Sequence, residues 1–459
     1  MLPQKFKIFL DTNLRTIRNV FNDQNHLEEA RSRFLQALPF LTAALLTAIA
    51  ATLYAKAFQY VENLSVTLIQ SIGYWSLVLT PILFILSWAL VEYLGPYSNG
   101  SGIPQLMAAA QISNRDSQSP FISRLLGLRV IGIKILSSLL GVLGGGAIGR
   151  EGPTLQISGS IFHLVGKVIN KGKHSQNHHV LILAGGAAGL ASAFNTPLGG
   201  IAYAMEELSK SHLSSFRTGV LQAVIVSGFF AQLILGPYLY LGYPKIETLR
   251  LHDVGYLILT ALIASLVVSM FSQVLKLIVI YRSQIESKKS KLFIATFCGF
   301  IVAALALFLS SSSLGSGKEL LSELLFNGKT SDFAQMASRF LGSAFTYGAG
   351  GAGGIFAPTL ALGASTSSFI QSLFENQLGT IGILAGMTAG LSALTQSPLT
   401  SFVLILEMTD RHSAIFPLMI AALIGQGVSK FISKTSFYEF VCHRILTSQN
   451  VTRVVGHEN

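Results

Sequence analysis

Between Phe340 and Leu406 the chain carries a single charge, Glu375, while glycine and proline recur throughout the stretch. A water-soluble domain carries about 25% charged residues, so this segment cannot supply a solvated surface. A bilayer core requires backbone N–H and C=O groups to be satisfied internally and tolerates helix breaks only where they face protein or a cavity. The segment therefore reads as broken helices inside a membrane protein. Uncharged stretches of spanning length recur at Thr218 to Pro244, Val254 to Leu275, Leu292 to Gly317 and Ser413 to Ser429, against the roughly 20 residues that cross a hydrocarbon core. Of 459 residues, 51% are hydrophobic and 12% charged, with a mean hydropathy of +0.56. The expected fold class is all-α: a polytopic membrane protein with many broken or tilted helices.

Thirty-two Lys and Arg against 21 Asp and Glu give a formal charge of +11. In a soluble protein this balance suggests nucleic acid, but the apolar spans leave no surface of the needed size, and no nucleic-acid partner is expected. Basic cytoplasmic loops and contact with anionic lipid account for it instead. The first 37 residues hold Lys5, Lys7, Arg15, Arg18, Arg31 and Arg33 without a compact apolar core and cleavage site, so a cytoplasmic N-terminal segment (1–37) is expected rather than a signal peptide. Within it, Asn25 to Ala37 reads as a short interfacial helix. Cys298 and Cys442 are the two cysteines; they read as packing residues, with no disulfide framework, metal site or cofactor expected.

The chain repeats itself. Ala184-Gly185-Gly186-Ala187-Ala188-Gly189-Leu190 recurs as Ala385-Gly386-Met387-Thr388-Ala389-Gly390-Leu391, and the same shift of 201 carries Pro197-Leu198 onto Pro398-Leu399 and Glu206 onto Glu407. Upstream, Pro153-Thr154-Leu155 matches Pro358-Thr359-Leu360 at a shift of 205. Two related halves, about 38–243 and 254–447, followed by a short cytoplasmic tail (448–459), point to a transporter whose site lies between the repeats.

Two glycine motifs carry the chemistry. Gly100-Ser101-Gly102-Ile103-Pro104 and Gly149-Arg150-Glu151-Gly152-Pro153 each place a proline in the first turn of an expected helix. A helix start offers unpaired N–H groups and about half a positive charge, which favours an anion. Glu151 puts a carboxylate at such a start, where it competes with a soluble anion until protonation removes it. Ser101 adds a hydroxyl donor, although the same hydroxyl serves equally as a helix N-cap.

Together with Gly354-Ile355-Phe356-Ala357-Pro358, these motifs resemble, in order and spacing, the CLC family of chloride channels and chloride/proton antiporters. The resemblance runs from the first span to Tyr438 and includes Asn195-Thr196-Pro197-Leu198 and Glu407-Met408-Thr409-Asp410. It implies transport of chloride across the membrane in exchange for protons, no enzymatic activity, inverted repeats, and a homodimer with one pathway per subunit. A prokaryotic inner-membrane protein is implied, with both termini cytoplasmic and no paired nucleotide-binding domains. The alternative is a passive voltage- or pH-gated chloride channel of the same fold. A fluoride exporter is disfavoured by the chloride-type pattern at Gly100 to Pro104.

By the same resemblance, Ser101 and Tyr438 are hydroxyl ligands of the central chloride, and Ile355 and Phe356 contribute backbone amides. Nitrate-preferring relatives carry proline where this chain has Ser101. The proline usual before the family's tyrosine is missing ahead of Tyr438, which also reads as an interfacial aromatic. Glu151 corresponds to the external gating glutamate, flanked by Gly149 and Arg150 on the anion path. Glu207 falls where the antiporters carry an internal proton-transfer glutamate, while Glu206 and Glu407 read as structural. Lys134 is similar to a basic residue beside the anion path, and equally suits a lysine snorkelling at a helix end.

Overall fold

The computed structural model describes residues 24–169, 177–208, 218–236, 239–246, 249–374, 378–409 and 412–448. The basic residues Lys5 to Arg18 and the tail from 449 onward lie outside them. The described residues are helical, and six helical stretches among them are long and apolar enough to cross a membrane.

The first half runs α1 (Gln24–Ile72), α2 (Ser76–Ala89), α3 (Ile103–Arg115), α4 (Pro120–Leu125), α5 (Leu128–Leu143), α6 (Glu151–Ile169), α7 (His178–Phe194), α8 (Pro197–Tyr203) and α9 (Thr218–Leu235). The second half runs α10 (Asp253–Gln284), α11 (Lys288–Phe308), α12 (Lys318–Phe326), α13 (Phe333–Ala349), α14 (Phe356–Leu373), α15 (Gly379–Thr395), α16 (Pro398–Thr409), α17 (Ile415–Ile432) and α18 (Phe437–Ser448). The expected interfacial helix at Asn25 to Ala37 is instead the first part of α1, which continues through Pro39 without a break. A proline removes one backbone donor, and nothing else in that stretch stops the helix.

Packing follows the repeat. α1 lies against α6, α7 and α9; its mate α10 lies against α14, α15 and α17. The pairs α6 with α7 and α14 with α15 form the two tightest interfaces. Even backbone exceptions are duplicated: Asn195 after α7 and Gln396 after α15 both have φ of 57°, a left-handed cap that ends each helix and frees the chain to start the next. Hydropathy alone runs the segment 180–205 together, whereas the structure breaks it at Asn195 and Thr196.

Two contacts show how the halves are related. Gly149 and its repeat mate Gly354 form an antiparallel bridge, each amide donating to the other's carbonyl at 2.7 and 2.8 Å. Glu206 accepts from the amides of Leu399 and Thr400 at 3.1 and 2.7 Å, and Glu407 accepts from those of Leu198 and Gly199 at 3.1 and 2.8 Å. Each glutamate thus caps the helix that follows the proline of the other repeat. Reciprocal contacts between equivalent residues are the mark of a two-fold relation, and the antiparallel bridge makes the copies run in opposite directions: the repeats are inverted.

Candidate functional site

The three glycine motifs meet at the centre. Gly100 donates to the Gly351 carbonyl at 2.9 Å, and its own carbonyl accepts from Gly353 at 3.0 Å, beside the Gly149–Gly354 bridge. These four bonds fix the starts of α3, α6 and α14 around one point. The first motif needs glycine for this approach: Gly102 has φ of 99°, and a Cβ there would stand 2.8 Å from the Gln156 Cβ and 3.0 Å from the Gly152 carbonyl. The first amides of each helix have no intrahelical acceptor, so the junction is rich in N–H donors and carries the positive ends of several helix dipoles.

Ser101 and Tyr438 point into this junction. Both are buried, at 2% and 0% exposure. Their hydroxyls lie close enough to interact, but neither forms a well-aligned hydrogen bond to a protein group. Buried hydroxyls left unpaired are costly, and a bound anion satisfies both. Ile355 is the N-cap of α14 and Phe356 its first residue, both fully buried, so an anion there would meet their backbone and not a charge.

Tyr438 is positioned from the second half. Ser436 accepts from the Glu439 amide at 3.1 Å and so caps α18. Lys276 on α10 donates to the Thr435 carbonyl and the Ser433 hydroxyl at 2.6 and 2.7 Å, and Gln396 donates to the Ser433 carbonyl at 2.8 Å. The missing proline ahead of Tyr438 is replaced by these side-chain ties.

Glu151, the first residue of α6, is 1% exposed. One carboxylate oxygen, Oε1, accepts from the Tyr240 hydroxyl at 3.0 Å, while Oε2 has no well-formed hydrogen bond and lies against Gly149. Adjacent Arg150 makes no salt bridge with it: Nη1 donates to the Ala55 carbonyl on α1 at 2.9 Å, and the guanidinium stands 5.9 Å from the Tyr240 ring centre. Tyr240 is a site residue that sequence reading missed, because one of three tyrosines in an apolar stretch, Tyr238, Tyr240 and Tyr243, carries no local signal that sets it apart.

Glu207 is buried at 2% exposure. Its Oε2 accepts from the Ser397 hydroxyl at 2.5 Å, and it lies within electrostatic range of Tyr203 and Tyr438. Glu206 is turned away into its cap on α16, where Oε2 also accepts from the Thr400 hydroxyl at 2.8 Å. Next to Glu151 the walls are aromatic: Tyr240, which donates to Glu151, packs edge-on against Phe194 at 4.9 Å, and Phe194 packs against Phe356 at 5.3 Å.

Lys134 is fully buried on α5, which rules out snorkelling, and its Nζ donates to the carbonyls of Gly100 and Asn99 at 3.0 and 3.3 Å. Its charge therefore acts through the backbone of the first motif. Arg282 does the same for the Gly348 and Ala349 carbonyls at 2.7 and 3.2 Å. These cations stand behind the junction and leave amides and hydroxyls to line it. Such a site attracts an anion without trapping it, because no fixed positive charge touches it.

Known proteins share this fold. The family model for the voltage gated chloride channel matches residues 82–430. The H+/Cl− exchange transporter ClcA of Salmonella schwarzengrund is 27% identical over 457 residues, covering 92% of each chain. Among solved structures, a slow cyanobacterial Cl−/H+ antiporter superposes with a TM-score of 0.78 at 25% identity, covering 91% of this chain and 99% of that one. A CLC-type fluoride/proton antiporter gives 0.72 at 20% identity over 91% of this chain and 99% of that one, a likeness of fold. The converging helix starts, the inverted repeats and these matches place the chain in the CLC family, the voltage gated chloride channel family.

Proposed function

We propose that the chain exchanges chloride for protons across the membrane, through a path that holds chloride at Ser101 and Tyr438 and carries protons by way of Glu151 and Glu207. The observation that carries this reading is the second buried carboxylate. A passive anion channel needs one gate, which Glu151 provides. An additional acid buried near the same hydroxyls, Glu207, costs desolvation and repels the permeating ion. Its placement beside Tyr438, with Ser397 donating to it, suits a proton acceptor.

In the proposed cycle, ionised Glu151 occupies the anion position at the start of α6, and Tyr240 holds it there. Protonation removes the charge that competes with chloride, and the side chain leaves. Chloride then moves through the junction on the amides of α14 and the hydroxyls of Ser101 and Tyr438. The proton passes between Glu151 and Glu207 past the aromatic wall, by water that enters as the side chains move.

The Glu151 mouth is the outer face in this reading, the membrane is the cell inner membrane, and both termini are cytoplasmic. The exposed apolar faces of α9 and α17, with Phe229, Leu233, Phe416 and Leu423, lie in lipid or against a second subunit of a homodimer. Purified protein in liposomes tests the transport reading. An outward chloride gradient is expected to drive protons inward against their own gradient, read by an external pH electrode. Chloride efflux with no proton movement favours the passive channel instead.

A further inference from the structure

The first Gly-Ser-Gly turn has a mate in the second half. Gly100-Ser101-Gly102 recurs as Gly315-Ser316-Gly317, and the backbone follows: φ is 56° at Gly100 and 60° at Gly315, 99° at Gly102 and 89° at Gly317. Each turn opens a helix, α3 at Ile103 and α12 at Lys318. Behind each turn stands a fully buried cation that holds its carbonyls. For the first it is Lys134; for the second it is Arg339, at the 205-residue repeat spacing, whose Nη1 donates to Ser312, Leu314 and Gly315 at 2.9 to 3.1 Å. The second repeat thus carries a full copy of the turn that forms the central anion site.

This copy faces the mouth of the path. Gln59, Glu62, Gly315, Gly317 and Lys318 line a vestibule of about 520 Å³, and Gln59, Glu62 and Lys318 also line the narrow cleft that leads to Arg150, Glu151 and Tyr240. Glu62, half-buried on α1, accepts from the Ser316 amide at 2.5 Å. A carboxylate therefore sits at the start of α12 as Glu151 sits at the start of α6.

A second observation points to a ligand. The Nε and Nη2 of Arg339 have no protein acceptor among the described residues, and the side chain is fully buried. Nη2 is aimed at the turn: a Cβ on Gly317 would stand 3.0 Å from it. The buried hydroxyls of Ser313 and Ser343, on either side of the same region, also lack partners. A buried guanidinium edge without an acceptor is costly, and an anion in the turn supplies one. Lys318 adds charge at the rim, with Nζ 5.4 Å from the Tyr240 ring centre opposite Arg150.

We propose that the Gly315-Ser316-Gly317 turn is a second, outer anion site, closed here by the Glu62 carboxylate and opened to chloride when that side chain swings into the vestibule. The identity of the ion rests on the chloride reading of the central site. The outer site concentrates chloride one step before Glu151, so a carboxylate guards each of two successive positions. The charged groups facing Glu62 are Arg150, Lys318, Arg339 and Glu151, with Glu319 and Glu323 on the vestibule wall.

Crystals of the full chain grown in bromide test this by anomalous scattering. In Glu62→Gln, a bromide peak is expected within hydrogen-bond distance of the Ser316 amide, in addition to the peak at Ser101 and Tyr438. A Glu62→Gln crystal with bromide at Ser101 but none at Ser316 overturns the outer site and leaves the central one intact. Absence of bromide at Ser101 counts instead against the chloride reading of the central site, whatever Ser316 holds. Should Glu62→Gln fail to fold, crystals of Glu62→Ala, which also removes the carboxylate from the Ser316 amide, are expected to show the same Ser316 peak; its absence there overturns the outer site equally.

Discussion

Ser101 and Tyr438 are buried hydroxyls facing one another at the junction of three helix starts, and each has a hydrogen to give and no protein group well placed to take it. Replacing Ser101 with proline removes one of the two donors. Relative permeation is expected to move from chloride towards nitrate by about tenfold, the effect of one hydrogen bond of roughly 1.4 kcal/mol. Reversal potentials or flux ratios in liposomes check this, and unchanged ratios remove Ser101 from the selectivity site. At this scale the sequence was most legible where a residue lies inside a motif: Ser101, Glu151, Ile355 and Phe356 are placed by their neighbours. The local pattern of two adjacent acids does not separate Glu206 from Glu207; the family resemblance assigned Glu206 a structural role, and in the structure it caps α16 while Glu207 lies near Tyr438. Lys134 was undecided in sequence because burial distinguishes its two roles. Tyr240 and Glu62 were not legible, as their partners lie far away in the chain.

Several elements are short, α8 and α16 among them, because each half brings helix starts together inside the protein, where an unsatisfied N–H group is costly. The chain meets this with side-chain caps exchanged between repeats. Glu206 holds the first turn of α16, and Glu407 that of α8. Glu206→Ala is expected to destabilise the protein by about 1–2 kcal/mol, the worth of a lost charged cap, seen as a lower unfolding temperature in detergent. Coupling of protons to chloride is expected to persist. An unchanged unfolding temperature with lost coupling transfers the proton role from Glu207 to Glu206. The repeat at 201 and 205 residues was readable because several fixed residues agree. The left-handed caps at Asn195 and Gln396 were not, since one residue's backbone angle leaves no mark on hydropathy. The Gly315 to Gly317 mate of the first motif stands at a different spacing, 215, because the stretch between turn and cation differs in length between the halves.

Over the whole molecule, the inverted two-fold explains why one site is built from residues as distant as Ser101 and Tyr438. Each half supplies helix starts from its own side, and the axis brings their positive ends to one place. The halves then diverge in function. Glu151 has no acidic counterpart in the second repeat, where the equivalent position is Phe356, so the junction is asymmetric, with a carboxylate at the start of α6 and none at the start of α14. Glu207 is the second buried acid, within electrostatic range of Tyr438. In the proposed cycle, that asymmetry within a symmetric scaffold allows exchange of two unlike ions. The most direct measurement is simultaneous recording of chloride and pH with reconstituted protein, comparing wild type with Glu207→Gln and Glu151→Ala. Wild type is expected to couple the two fluxes. Both variants should keep chloride transport while proton flux falls by about 100-fold or more, the scale of losing a proton-transfer group. Tightly coupled exchange surviving in either variant contradicts the two-carboxylate path.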